Sequence, residues 1–262
     1  MPTLPESHEY RLVAESFGAE AERYDRTRPR YPGALIERVR AESPGAKVLD
    51  VGTGTGIVAR QLERTGAEIL GVEPDERMAE FARSSGVAVE VAKFEEWEPR
   101  ARTFDTVVAG QTWHWVDPVA GAEKAARVLG PGGLLAVFWN AFEAEAEIGA
   151  AMAEVYRSVL PESPINRIAT CGEDPYGELC TKAAEGMRHS GAFGEPQRWR
   201  FAWEKEYSTE EWLDVLPTFG SATLLLAAER AELLDRIGAV LDAAGGRFTV
   251  QYATVVVAAQ RA

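Results

Sequence analysis

Apolar positions along the chain fall into short compact runs, separated by longer stretches in which they recur at helical spacing. Lys47–Val51 (KVLDV) is the first run, followed by Glu68–Glu73 (EILGVE), Val87–Ala92 (VAVEVA), Phe104–Ala109 (FDTVVA) and Leu134–Trp139 (LLAVFW). Runs this short and this rich in branched aliphatic residues predict buried strands. Between them, Ile57–Thr65, Asp75–Ser84 and Asp117–Leu129 carry the spacing of amphipathic helices. The first stops at Gly66 and the last at Gly130-Pro131-Gly132-Gly133. Alternating strands and helices predict a parallel sheet covered on both faces. Upstream, residues 8–42 read as helical pieces broken by Pro29 and Pro32.

The rhythm changes after Trp139. Residues 141–190 are Ala/Glu-rich and helical, with interruptions at Pro161, Pro164 and Gly172–Gly177, and Pro196–Trp203 alternates as a strand. Ser208–Ala243 is helical again and opens with the capping-box pattern Ser208-Thr-Glu-Glu211. Gly245-Gly246 predicts a turn into a final strand, Phe248–Ala259. The expectation is one α/β domain over 1–262. Residues 15–140 would form a ligand-binding core, 141–245 a cap with the late helices, and 246–262 the closing strand.

Composition narrows the setting. With 46% hydrophobic and 26% charged residues the chain can build a sizeable core. The 28 basic and 41 acidic residues give a net charge of -13, a field that disfavours nucleic-acid and anionic membrane partners. Cys171 and Cys180 are the only cysteines, which fits a reducing compartment. The polar N-terminus is no signal peptide and the apolar runs are too short to span a bilayer, so a cytoplasmic location is expected. His8, His114 and His189 are scattered, and no metal site is expected.

The most informative segment is Val48-Leu-Asp-Val-Gly-Thr-Gly-Thr-Gly56, a strand carrying an acid, Asp50, that runs into a turn with glycines at 52, 54 and 56. Such glycines let a ligand approach the main chain, and the following helix directs its N–H groups into the same crevice. Glu73 ends the second strand 21 residues after Gly52, where a carboxylate can bond ribose hydroxyls. Both NAD and adenosylmethionine present a ribose there. A dinucleotide fingerprint places its third glycine at position 57, which is Ile57, whereas here it comes one residue early at Gly56. The glycine spacing favours adenosylmethionine.

The ordered motifs VLDVGTGTG, VEPDERMAEFAR, AKFEEWEP, FDTVVAGQTWHWVDP and RVLGPGGLLAVFWN resemble those of class I S-adenosylmethionine-dependent methyltransferases. The nearest resemblance is to the bacterial small-molecule branch (methyltransferase type 11) that includes trans-aconitate methyltransferase-like proteins. The opening SFGAEAERYDRTRPRYP is similar to the N-terminal helix of that branch. The resemblance covers roughly residues 15–140 and fades beyond, apart from EKEYSTEEWLDVLPTFG. It implies a Rossmann-like, doubly wound, seven-stranded and mostly parallel sheet, with an antiparallel C-terminal strand and a helical cap.

It also implies a site. Asp50 and the turn Gly52-Thr53-Gly54-Thr55-Gly56 would flank the methionine portion, the Asp reaching its ammonium directly or through water. Glu73, followed by Pro74, would hold the ribose, and Met78 would pack near the adenine. Phe94 and Glu95 would contact the adenine edge; many relatives carry Asp where Lys93 stands, which moves that contact to Glu95. Gly110 and Gln111 would lie beside the sulfonium, and Tyr24 and Arg28 would close over the methionine carboxylate. Several of these have plainer roles open to them: Met78 and Phe94 as core, Arg28 as a surface ion pair.

Just past the fourth strand, Thr112-Trp-His-Trp-Val-Asp117 falls at the edge of the sheet where ligands bind. Trp113 and Trp115 could wall a flat acceptor or attract a sulfonium, and His114 could act as a general base or merely orient the loop. Asp117, with Pro118 behind it, fits a helix cap. The expected reaction is in-line methyl transfer from S-adenosyl-L-methionine to a small molecule, at O or N, releasing S-adenosyl-L-homocysteine. A nicotinamide-dependent oxidoreductase and a non-catalytic adenosylmethionine-binding protein are the alternatives.

Overall fold

The computed structural model describes residues 17–161, 176–219 and 225–262. Seven strands form one sheet: β1 (Lys47–Val51), β2 (Glu68–Glu73), β3 (Val89–Val91), β4 (Phe104–Gly110), β5 (Leu129–Ala144), β6 (Gln197–Ser208) and β7 (Arg247–Gln260). Their order is β3-β2-β1-β4-β5-β7-β6. β1 to β5 are mutually parallel, and β7 runs antiparallel between β5 and β6. The helices are α1 (Ala21–Thr27), α2 (Gly33–Glu42), α3 (Ile57–Glu63), α4 (Glu76–Ser84), α5 (Pro118–Val128), α6 (Ala146–Val159), α7 (Gly177–Ser190), α8 (Thr209–Val215) and α9 (Ala227–Ala243). Among the described residues no helix is long and apolar enough to cross a membrane.

The period-2 alternation of strand side chains sorts the apolar runs onto two faces. Leu49, Val51, Leu135, Val137 and Trp139 point into one core, closed by Ala125 and Val128 of α5 and Ala183 and Met187 of α7. Val48, Leu134, Ala136 and Phe138 point into the other, against Leu35, Ile36 and Val39 of α2 and Val58 and Leu62 of α3. A third core lies where β7 extends past the parallel strands. There Ile148, Met152, Trp212, Leu233 and Ile237 pack on Phe248, Val250 and Tyr252.

Two strands differ from the sequence expectation. β3 spans only Val89–Val91, because it is an edge strand with three partner positions on β2. β5 does not wait until Leu134. It starts at Leu129, opposite Phe104, and carries Gly130–Gly133 through a register shift. The tertiary partner explains this: the Gly132 amide donates to the Arg261 carbonyl (3.1 Å) and the Arg261 amide to the Gly133 carbonyl (2.7 Å). The expected interruptions at Pro164 and Gly172, and Cys171, lie outside the described residues. Cys180 is buried in α7.

The capping box forms as read. Ser208 Oγ accepts from the Glu211 amide (3.1 Å), and Glu211 Oε2 accepts from the Ser208 amide (2.9 Å). Ser208→Ala is expected to cost about 1 kcal/mol. In a chain of this size that is a loss of roughly 2–4 °C in Tm, readable in a thermal melt.

Candidate active-site cleft

The crossovers turn one way from β1 to β2 and the other way to β4, so a crevice opens at the C-terminal ends of β1 and β4. The glycine turn fills its floor, with Gly52, Gly54 and Gly56 at φ +62°, +55° and +87°. A Cβ at Gly54 would meet nothing within 4 Å, so this residue faces the open cleft. Glu73 reaches in from β2. Its Oε2 accepts from the Gly54 amide (2.9 Å) and its Oε1 from the Asp75 amide (3.0 Å). Burial pushes its carboxyl up to about 7, against the pull of those two amides.

Asp50 lies under the turn. Its Oδ2 accepts from Thr53 Oγ1 (2.6 Å), while Oδ1 is buried with no hydrogen-bond partner. Burial raises this carboxyl to about 7 as well. An orphaned carboxylate oxygen at this depth is costly unless a donor arrives from outside.

The N-terminal segment crosses the cleft opposite the turn. Asp25 on α1 pairs with Arg60 of α3, while Arg23 and Arg26 pair with Asp214 of α8. Arg28 follows α1. Its guanidinium stands 4.9 Å from the Tyr24 ring centroid and 4.6 Å from that of Phe219, and one terminal nitrogen donates to the Thr218 carbonyl (2.5 Å). Its Nε is buried without a partner. At the end of β4, Gln111 holds φ +55°, a costly conformation for a residue with a side chain. Its Oε1 accepts from the Asn140 amide (3.1 Å).

Residues 49–137 match a family described as a methyltransferase domain. Over that segment the chain is similar to a methyltransferase domain. It is 35% identical over 133 residues to an uncharacterized methyltransferase of Mycobacterium bovis, a match covering 50% of this chain and 54% of that one. It is 38% identical over 101 residues to the ubiquinone biosynthesis O-methyltransferase of Hahella chejuensis, covering 36% of this chain and 42% of that one. The chain thus spans about half the length of these curated relatives. A solved structure described as a type II methyltransferase of Anaeromyxobacter dehalogenans superposes with a TM-score of 0.66, at 23% identity over 89% of this chain and 97% of that one. At that identity the likeness concerns the fold.

The fold brings most of the residues singled out in the sequence to one cleft. Tyr24, Arg28, Gly52, Thr53, Gly54, Glu73, Pro74, Met78, Gly110, Gln111 and Trp115 line it, and Asp50 lies beneath. Gly56 shapes the turn; a Cβ there would come within 3.1 Å of Val87. Phe94 and Glu95 do not line the cleft: Phe94 packs against Trp113 at 6.2 Å in the core, and Glu95 Oε1 accepts from the Asp117 amide (3.3 Å). Asp117 caps α5 as expected, accepting from the Val119 and Ala120 amides.

The aromatic loop needs correcting. Residues 113–115 form a 3-10 turn, whose three residues per turn aim successive side chains in three directions. Trp115 faces the cleft, whereas Trp113 is 2% exposed and packs on Val116 and Gly121. His114 turns toward Trp139, whose indole donates to its Nδ1 (3.1 Å), and burial pushes the imidazole from 6.5 down to about 4. A general base in these positions would cost about 100-fold to 10,000-fold when removed. We expect a single-turnover rate for His114→Ala within about twofold of native, far short of that general-base effect. The folded protein holds this ring neutral while the unfolded chain protonates it. The His114 contribution to native stability is therefore expected to fall as pH drops from 6.5 toward about 4, and melts of the variant should lack that contribution.

Thr112 lines the cleft too, within the loop read as ligand-facing, whereas Tyr31, Asn140, Phe142, Tyr176, Phe219 and Tyr252 were not singled out and also line it. Asn140 had a signal, since it follows the apolar run of β5 at the ligand-binding edge. Tyr176, Phe219 and Tyr252 come from segments remote in sequence.

Proposed function

We propose that this protein transfers a methyl group from S-adenosylmethionine to a small-molecule acceptor, with oxygen or nitrogen as the receiving atom. The observation that carries the reading is the pairing of Glu73, pre-oriented by the Gly54 and Asp75 amides, with the unpartnered Oδ1 of Asp50 across the glycine turn. One carboxylate fits ribose hydroxyls and the other fits an ammonium, the two ends of adenosylmethionine. Arg28, with an unused buried Nε, fits the methionine carboxylate, and Met78 and Pro74 supply apolar surface for the adenine.

Bound adenosylmethionine would supply an electrophilic methyl on a sulfonium. The chain's own part is alignment and exclusion of water. Gln111 and Thr112 close the β4 end of the cleft, with Thr112 Oγ1 donating to the Gly52 carbonyl (3.1 Å), so the turn and the acceptor side form one rigid unit. Trp115 and Phe142 wall the acceptor side. The net charge of -13 argues against nucleic acid as substrate and fits a cytoplasmic small-molecule enzyme. The O-methyltransferase relatives are named for ubiquinone biosynthesis, which supports an oxygen acceptor of small size.

Calorimetry with adenosylmethionine and with NAD tests the cofactor. Saturable binding of the first and none of the second is expected, and the reverse result would replace the reading with an oxidoreductase. Turnover on a panel of small acceptors separates an enzyme from a non-catalytic binder.

A further inference from the structure

Beside the glycine turn the cleft opens onto a second wall made by the ends of β5 and β7, and its polar groups are locked in one orientation. The Trp203 indole can only donate, and it donates to Thr254 Oγ1 (3.0 Å). The Thr254 proton is thereby directed to Asn140 Oδ1 (2.7 Å). Asn140 is 4% exposed and lines the cleft, and with its oxygen engaged, its Nδ2 donors are left for the cleft. Gln111 is oriented in the same sense: its Oε1 takes the Asn140 amide, which leaves its amide nitrogen as a donor. Both amides thus present donors.

Around them stand flat rings. Phe142 stacks on Phe219 (5.4 Å, 18°) and lies 5.9 Å from Tyr252, yet remains 41% exposed, so one face is open to a ligand. The titratable groups facing the cleft are Arg28, Glu73, Tyr24, Tyr31, Tyr176 and Tyr252, with Asp50 beneath and His114 behind Trp139. Burial raises Tyr31, Tyr176 and Tyr252, so these hydroxyls keep their protons at neutral pH. Glu73 is held by the turn amides on the opposite side. Among the described residues, no carboxylate lines the β5–β7 wall.

We infer that the acceptor is a planar phenol or enol whose oxygen is bound as the oxyanion, with Asn140 Nδ2 as the donor that lowers its pKa. The inference rests on the methyl-transfer reading. A wall of donors stabilises an oxyanion and repels no negative charge, so deprotonation of the acceptor needs no basic side chain. The acceptor's proton leaves to water. Its oxygen lone pair then forms the O–C bond while the methyl C–S bond breaks and the electron pair stays on sulfur. Asn140 would be a catalytic residue, and Thr254 a positioning residue that keeps its amide from turning over.

The probe is 4-nitrophenol, whose phenolate is read by absorbance independently of turnover. It is titrated with pH against the full chain saturated with adenosylhomocysteine. The bound phenol is expected to ionise about one unit or more below the free phenol, a tenfold or larger change in its ionisation constant. Asn140→Ala should remove the shift, and Asn140→Asp should reverse its sign. Thr254→Val should shrink it and lower the rate of methyl transfer to the phenol with little change in KM, and Thr254→Ser should restore both. Benzylamine, a cation of similar size, should not displace the phenol. A bound phenol that ionises at its free value, an unchanged shift in Asn140→Asp, or displacement by benzylamine would overturn the inference. So would a protein that binds adenosylhomocysteine but not 4-nitrophenol, and in each of these cases the methyl-transfer reading stands. Calorimetry showing no adenosylhomocysteine binding would overturn that reading and the inference with it.

Discussion

Gly54→Val is expected to abolish adenosylmethionine binding while leaving most of the fold in place. Gly54 sits at φ +55°, and its missing Cβ would point into the open cleft. A β-branched side chain therefore fails twice. It resists the left-handed backbone region, at a cost of order 1–3 kcal/mol, and it occupies the space a ligand needs beside the main chain. Relief by rotating the turn would carry the Gly54 amide away from Glu73 Oε2, which it holds at 2.9 Å. The cores on either side of the sheet do not include this residue, so circular dichroism should show a native spectrum. Calorimetry is expected to find no saturable binding, and near-normal affinity in the folded variant would place the ligand elsewhere.

Glu73→Ala is expected to weaken adenosylmethionine binding by about 100-fold or more. Each charge-assisted bond from a ribose hydroxyl is worth about 1.5–3 kcal/mol, and the variant also leaves the Gly54 and Asp75 amides without their acceptor. The same residue makes stability and affinity run oppositely with pH. In the ligand-free fold, burial raises Glu73 from 4.5 to about 7, so the folded state holds a proton that the unfolded chain has released. This contribution is fully present below pH 4.5 and is lost as pH rises through about 7. Asp50, raised from 3.8 to about 7, contributes in the same direction over its own window. These two contributions to the native Tm should decline with rising pH, opposite in sign to that of His114, and Glu73→Gln should remove the Glu73 share. Ribose hydroxyls donate to the ionised carboxylate, so affinity should rise through about pH 7 in the native protein. A pH-independent affinity, or unchanged binding in Glu73→Ala, would remove Glu73 from the ribose site.

Legibility followed sequence distance. Asp50, the glycine turn and Glu73 were readable because one strand–turn–helix unit and the next strand carry them, and β1–β2 pairing brings Gly71 beside Asp50 directly. Met78 and Asp117 were readable for the same reason, as positions in the first turns of helices that follow strand ends. The aromatic loop was legible as a loop but not in its directions. Three residues of a 3-10 turn offer no apolar period from which to tell the ring that faces the core from the ring that faces the cleft.

The sequence by itself determined the alternating strands and helices, the crevice at the strand ends and the position of its two carboxylates. Each depends on local hydrogen bonding, hydrophobic periodicity and contacts between neighbouring units. Only the tertiary structure decided what faces the second wall. Inserting β7 between β5 and β6 sets Thr254 opposite Asn140 and Phe201, and so joins Trp203, Thr254 and Asn140 across more than a hundred residues. Docking Arg28 over Phe219 likewise couples the N-terminal segment to a turn 191 residues away. Such contacts follow from strand order and helix packing, which bury side chains against partners that no local pattern names.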